Sequence, residues 1–148
     1  MKKIFLITSI LLTSLAFSQS VTNNMKQAFE TDNQILLVEE LKLQKLNINQ
    51  CFELKEKPYS LFAIAIKMDK QKIFSELINQ KADLNKICED KSPLMYAVKY
   101  GKLTMVKQLI EAGADINVRN SEGANIFYYA QKYQQKEIEE YLKTKNLK

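Results

Sequence analysis

The residues that could do chemistry in this chain are few, and their types exclude most enzyme sites. Among 148 residues there is no histidine and there are only two cysteines. A Ser-His-Asp triad, a Cys-His pair, and a zinc or haem iron held by histidine are therefore excluded, as is a four-thiolate zinc site. The three glycines, at positions 101, 113 and 123, cannot form a dinucleotide-binding fingerprint or a P-loop. We therefore expect no bound cofactor and no metal.

Carboxylates are the remaining candidates for catalysis, because a pair of them can work as general acid and base. The chain has three clusters of glutamates, namely Glu39 with Glu40, Glu53 with Glu56, and Glu137 with Glu139 and Glu140. None of them is embedded in an apolar segment that could shift its pKa, and all fit solvated helix faces or linkers. We interpret the chain as non-catalytic.

The first 18 residues have the pattern of a secretory signal peptide. Lys2 and Lys3 precede an apolar run over residues 4–12, and small residues follow up to Ser18. The predicted cleavage leaves Gln19 as the new N-terminus. The alternative is a retained membrane anchor, but residues 4–17 are shorter than the roughly 18 residues that a span requires. We expect an exported protein, periplasmic or secreted, that is not inserted in a membrane after cleavage.

An internal repeat organises the remaining chain. Residues 82–85 read Ala-Asp-Leu-Asn, and residues 114–117 read Ala-Asp-Ile-Asn, 32 positions later. Offsets of 32 and 33 also relate apolar residues from residue 62 to residue 142, and a weaker copy lies 36 residues upstream of the first. Within a unit the apolar residues recur at helical spacing, as at Leu94, Ala97 and Val98. Repeats of this length indicate a stack of small units.

Each unit reads as a helix, a short turn, a second helix and an extended loop. In the clearest unit Ser92 is the predicted N-cap, Pro93 takes the first helical position and Gly101 ends the first helix. One such helix pair cannot bury its apolar face alone, so we expect the core to lie between stacked neighbours.

This unit resembles an ankyrin repeat. Residues 92–97, Ser-Pro-Leu-Met-Tyr-Ala, are similar to the Thr-Pro-Leu-His-x-Ala start of that repeat, and residues 101–117 are similar to the rest. The resemblance implies an all-α ankyrin-repeat solenoid of helix-turn-helix units joined by hairpin-like loops. The predicted divisions are a signal peptide at 1–18, a degenerate or capping repeat at 19–57, repeats at 58–90 and 91–123, and a C-terminal capping repeat at 124–148.

Two departures from the family pattern affect what we expect. The histidine of the motif is replaced in all three recognisable units, by Ala63, Met95 and Tyr128, which removes a hydrogen bond that helps to fix the loops. Lys143 takes the position held by Ile110 one unit earlier, as suits a terminal unit beyond which nothing stacks. The sequence leaves open whether residues 23–57 form a complete repeat.

The resemblance also implies where a partner binds, because ankyrin repeats contact proteins through loop tips and the exposed, concave side of their first helices. The corresponding residues here are Ile64, Lys67, Met68, Tyr96, Lys99, Tyr100, Arg119, Tyr129, Lys132 and Tyr133. Tyrosine and methionine suit interfaces because they offer a large contact area at low entropic cost. The alternative for the tyrosines is packing on neighbouring helices. The formal charge of +5 is almost all lysine, spread along the chain among acidic residues, so we expect no nucleic-acid partner.

Cys51 and Cys88 follow the turn residues Asn49 and Asn85, which places them in adjacent loops of the stack. Export would permit a disulfide between them. Loops of neighbouring units are expected about 10 Å apart, the spacing of packed helices, and Cα atoms more than about 7 Å apart cannot be bridged. The distance favours two unbridged thiols, and the disulfide stays the alternative.

These patterns together predict a protein-protein interaction module of the bacterial envelope that binds a protein through its concave helix face and loop tips. A more specific alternative is an immunity or inhibitor protein that neutralises an envelope toxin or hydrolase. Another is an accessory subunit of a periplasmic enzyme. The sequence identifies neither the partner nor the oligomeric state.

Overall fold

The computed structural model describes residues 19–145, so the predicted signal peptide at 1–18 lies outside the described residues. Within this range the chain forms four consecutive helix pairs, which confirms the predicted all-α architecture of helix-turn-helix units. Every unit range predicted from the sequence contains one pair, including residues 23–57. The helices are α1 Asn23–Thr31, α2 Gln34–Leu43, α3 Leu61–Lys67, α4 Gln71–Asn79, α5 Pro93–Lys99, α6 Leu103–Glu111, α7 Ile126–Lys132 and α8 Lys136–Lys145.

The helix pairs stack side by side around one continuous core. The first helices of successive units pack on each other, α3 on α5 and α5 on α7, and α2 packs on α4. The core extends from Met25 in the first unit to Leu142 in the last. Leu94, Ala97 and Val98, which were predicted at helical spacing, are all buried in it. Because burying a large apolar side chain stabilises a fold by about 1.5–3 kcal/mol, the stacked surfaces supply most of the driving force.

A polar side chain caps the start of every first helix. The residue before the helix lies in extended conformation, and its side-chain oxygen accepts the backbone N–H three residues further on. The four caps are Thr22, Ser60, Ser92 and Asn125. Ser92 and the following Pro93 occupy the positions that the sequence predicted for them. A cap of this kind contributes about 0.5–2 kcal/mol.

The repeated Ala-Asp-aliphatic-Asn motif forms a ladder of hydrogen bonds between units. Within a turn, the Asp83 carboxylate accepts the N–H of Asn85 at 2.9 Å, and Asp115 accepts that of Asn117 at 2.8 Å. Between turns, Asn49 Oδ1 accepts the N–H of Asp83 at 2.8 Å, and Asn85 Oδ1 accepts that of Asp115 at 2.9 Å. The aspartate therefore closes its own turn, while the asparagine holds the next unit in register.

Each first helix is followed by a residue with left-handed backbone, and only one of these residues is glycine. Gly101 has φ of 66°, while Asp32, Asp69 and Gln134 hold the same position with φ of 50°, 57° and 55°. Asp32 has a second function, because its carboxylate accepts the N–H groups of Lys72 and Ile73 at the start of α4, at 3.1 and 3.0 Å. The side chain thus caps a helix of the following unit, whose own N-cap residue makes no such bond.

Hairpin loops project between the helix pairs, and we call them finger 1 (residues 52–59), finger 2 (88–91) and finger 3 (119–124). Finger 1 consists of β2 Phe52–Leu54 and β3 Lys57–Tyr59, paired antiparallel. The strand β1 Gln19–Ser20 pairs in parallel with β2 and completes a three-stranded sheet in the order β1-β2-β3. This sheet was not predicted, because a two-residue strand has no detectable sequence periodicity.

Cys51 and Cys88 form a disulfide bond, with Cα atoms 5.9 Å apart. The loop separation of about 10 Å that favoured unbridged thiols was wrong, because it was taken from the packing of helices. The two cysteines lie at the bases of fingers 1 and 2, where their Cα separation falls within the range that a disulfide spans. The bond therefore ties the first unit to the second on the finger side.

We predict that Asn85→Ala lowers the free energy of unfolding by about 0.5–1.5 kcal/mol, because it removes one hydrogen bond between units. Asn117→Ala is the matched control, since Asn117 holds the same position one repeat later and its side chain makes no such hydrogen bond to another turn within residues 19–145. That substitution should change the free energy of unfolding by no more than about 0.5 kcal/mol. Urea denaturation followed by circular dichroism measures both, and equal losses would contradict the inter-unit role of Asn85.

We also predict that the Cys51→Ser, Cys88→Ser double variant is less stable by about 3–4 kcal/mol, as expected for a crosslink between residues so far apart in the chain. The separation is 37 residues. A reductant should lower the urea midpoint of the unsubstituted protein and leave that of the variant unchanged. If the reductant has the same effect on both, the disulfide does not stabilise the fold.

Candidate protein-binding surface

Three of the residues expected on the concave face are buried, so their assignment as exposed contacts was wrong. Ile64, Tyr96 and Tyr129 are 3%, 1% and 6% exposed. Fingers 2 and 3 fold back over the two tyrosines. The Tyr96 hydroxyl donates to the Glu89 carboxylate at 2.6 Å, and the Asn120 amide donates to the Tyr129 hydroxyl at 3.3 Å. These side chains hold the fingers on the helices instead of facing a partner.

The other expected contact residues remain at the surface. All of them except Arg119 occupy two positions at the ends of the first helices, the last helical residue and the C-cap that follows it. Lys99 and Tyr100 are half-buried and the others are exposed. We call this surface the first-helix face, and its residues are Lys67, Met68, Lys99, Tyr100, Lys132 and Tyr133. Arg119 is exposed on finger 3, where its guanidinium donates to the Gly123 carbonyl at 2.8 Å.

Each lysine of the first-helix face lies over a tyrosine ring. The Nζ atom of Lys67 is 4.8 Å from the centre of the Tyr59 ring. The Nζ of Lys99 is 5.5 Å from the Tyr100 ring and 5.6 Å from the Tyr133 ring, so this lysine connects two successive units. Cation–π contacts of this kind hold a flexible lysine in place while its charge stays accessible to solvent.

The buried tyrosines support those at the surface. Tyr96 and Tyr100 stack with ring centres 6.3 Å apart and planes 7° apart, and Tyr129 and Tyr133 repeat this arrangement at 6.3 Å and 2°. The two residues of each pair are four positions apart on one helix, which places their rings on the same side. Ring stacking therefore fixes the two tyrosines that border the surface.

Tyr128 belongs to the surface but was not predicted there. Its position is the one that histidine occupies in the motif, and Ala63 and Met95 are fully buried at that position in the earlier units. Tyr128 is 45% exposed, because α7 belongs to the last helix pair among the described residues. Lys132 lies 5.3 Å from the centre of the Tyr128 ring and donates to its hydroxyl at 3.2 Å, which raises the pKa of Lys132.

Glu89 forms an ionic cluster that joins fingers 1 and 2. Its carboxylate accepts from Lys57 at 2.8 Å and from Tyr96, and Lys91 lies 3.6 Å away. Desolvation by itself would raise the pKa of Glu89, but the hydrogen bonds from Lys57 and Tyr96 and the charge of Lys91 outweigh it and lower the pKa to about 2. The sequence contains a signal for this cluster, because Lys57 and Glu89 carry opposite charges and lie one repeat length apart.

A groove adjoins the first-helix face where finger 1 meets α1 and α3. We call it the N-terminal groove, and its volume is about 1080 Å³. Its apolar lining is made by Val21, Phe29, Leu54, Tyr59, Ile64 and Met68. Charged residues of both signs also line it, namely Lys26, Glu30, Glu53, Lys55, Glu56, Lys57 and Lys67. Tyr59, Lys67 and Met68 also contribute to the first-helix face or its cation–π contacts, so the two surfaces are continuous.

Between residues 19 and 145, none of the helices combines the length and apolar character needed to cross a bilayer. Over the same range, no three His, Cys, Asp or Glu side chains gather closely enough to hold a metal ion.

We predict that Glu89→Gln lowers the free energy of unfolding by about 1–2 kcal/mol at neutral pH, because it weakens hydrogen bonds to a charged group. Since the folded-state pKa lies below the ordinary 4.5, this stabilisation is present above pH 4.5. It should be lost as the pH falls toward 2, where the folded protein also binds the proton. Glu122→Gln on finger 3 removes the same charge from an exposed residue and is the control. Urea denaturation of both variants across this pH range measures these losses. Equal losses of stability in the two variants would contradict the role assigned to Glu89.

Comparison with known families identifies the repeat. The sequence matches the model described as ankyrin repeats (3 copies) over residues 25–120 and again over residues 62–148. No match was found among curated proteins. The two family matches together cover most of the chain and agree with the stacked helix pairs and fingers of the structure. Ankyrin repeats are protein-protein interaction modules, and the chain belongs to the ankyrin-repeat family.

Proposed function

We propose that this protein is a non-catalytic binding module that is exported to the bacterial envelope, in the periplasm or beyond, where it binds another protein. The partner contacts the concave helix face, represented by the first-helix face, together with the tips of the fingers. The observation that carries this proposal is the recurrence of a lysine held over a tyrosine in three successive units, at Lys67, Lys99 and Lys132.

The chemistry of this surface suits a protein partner. Tyr100 and Tyr133 are fixed by stacking, and Lys99 is held over both rings. Binding therefore costs little side-chain entropy, which is a large part of the cost of forming an interface. Tyrosines supply contact area, and lysines at the border attract acidic groups and increase the rate of encounter.

The disulfide supports export. Disulfides persist in oxidising compartments such as the periplasm and are rare in the cytosol, where thiols are kept reduced. The bond between Cys51 and Cys88 is therefore consistent with the signal peptide that the sequence predicts at residues 1–18.

The proposal predicts that the chain from residue 19 to residue 148 captures a protein from a bacterial envelope extract. Lys67→Glu with Lys132→Glu should abolish the capture, because the reversed charges repel an acidic partner and disturb the contacts with the tyrosine rings. Lys72→Glu with Lys107→Glu makes the same charge change on α4 and α6 and should leave the capture intact. Circular dichroism establishes first that both variants fold.

The identity of the captured protein separates the more specific functions. A toxin or hydrolase that is inactivated on binding would indicate an immunity or inhibitor protein. An envelope enzyme that stays active in a stable complex would indicate an accessory subunit. A partner retained by both variants would exclude the first-helix face as the binding site, and a bait that captures nothing would contradict the proposal.

A further inference from the structure

Three lysines form a row of cations along the first-helix face. Lys67, Lys99 and Lys132 are each the last helical residue of α3, α5 and α7. Within residues 19–145, none of the three has a carboxylate oxygen within 4.0 Å. Their Nζ atoms lie over tyrosine rings, which position the charge but do not neutralise it. We call these three residues the lysine row. They offer three accessible positive charges.

The stacking of the helices sets the spacing within the lysine row. Because α3 packs on α5 and α5 packs on α7, equivalent residues in successive units lie about 8–10 Å apart, the distance between packed helices. A polypeptide in the polyproline II conformation advances about 3.1 Å per residue and has three residues per turn, so every third side chain lies on the same side. One step along the row therefore corresponds to one turn, or three residues, of such a segment.

The N-terminal groove lies at one end of this row. Lys67 belongs both to the row and to the lining of the groove, so a segment lying along the row leads into the groove. Inside, buried Phe29 and Ile64 and exposed Met68 give an apolar lining that suits one apolar side chain. The glutamates Glu30, Glu53 and Glu56 also line the groove, so an uncharged apolar side chain of a peptide suits it better than a phosphate or a carboxylate does.

We infer that the partner supplies an acidic segment in the polyproline II conformation, with one apolar side chain in the N-terminal groove and carboxylates at every third residue paired with the lysine row. This inference rests on the proposed function and specifies the chemistry of the partner. The charge complementarity comes from Lys67, Lys99 and Lys132, and the apolar selectivity comes from the groove. The register comes from the distance between helix pairs.

The test uses fluorescein-labelled synthetic peptides and the chain from residue 19 to 148, with binding measured by fluorescence anisotropy. The probe peptide carries one leucine and then glutamates at the third, sixth and ninth following positions, separated by serine and alanine, and is made in both chain directions. One control peptide has the same composition with its three glutamates adjacent. A second control replaces the glutamates by lysines, and a single-stranded oligothymidine tests for binding by charge alone.

We expect one direction of the probe peptide to bind more tightly than every control, with affinity that falls as salt is added because salt screens charges at the protein surface. Lys99→Gln and Lys132→Gln should each weaken this binding by about threefold to fivefold, as is typical for exposed ion pairs. Lys72→Gln on α4 removes a charge elsewhere and should have no effect. Met68→Glu in the groove should weaken binding at least as much as either of the Lys99 and Lys132 variants does. Ile35→Glu on the exposed side of α2 should not weaken it.

Equal binding of the peptide with adjacent glutamates would overturn the three-residue register, and equal binding of oligothymidine would overturn the selection of a peptide. If no peptide binds while the envelope extract still yields a partner that depends on Lys67 and Lys132, the inference is wrong and the proposed function stands. If neither experiment detects binding, both are wrong.

Discussion

The structure depends on burial of apolar surface between neighbouring helix pairs. A pair such as α5 with α6 has apolar residues on faces that its two helices cannot cover for each other, so a single unit would expose them to water. Stacking removes this surface from solvent and produces one core that passes through all four described pairs. Helix α8 also contributes to this core, because it buries Ile138 and Leu142 while its other face carries charged residues.

Polar contacts at the edges of the stack determine how neighbouring units align with each other, which apolar burial alone does not. The Asn49 and Asn85 side chains hold the following turns, and Asp32 caps a helix in the next unit. On the finger side the disulfide and the Glu89 cluster tie finger 1 to finger 2. Hydrogen bonds are directional whereas apolar burial is not, so these contacts specify one relative placement of units among the many that a smooth apolar surface would allow.

The fingers decide which residues the protein presents to a partner. Because they fold over the first helices, Tyr96 and Tyr129 become part of the supporting structure, and the residues at the helix ends form the accessible surface. That surface is already organised, since its lysines lie over rings and its tyrosines stack on buried neighbours. A preorganised surface favours a defined partner, because less freedom is lost when the complex forms.

The sequence by itself determined the helix pairs, the N-cap at Ser92, the core positions around Leu94 and the family, because all of these follow from short-range spacing that repeats along the chain. The tertiary structure alone decided that Cys51 and Cys88 are bridged, that residues 19 and 20 join finger 1, and that Ile64, Tyr96 and Tyr129 are buried. These outcomes depend on how closely loops of different units approach each other. Loop length and backbone direction set that distance, and neither is encoded in a periodic pattern of residues.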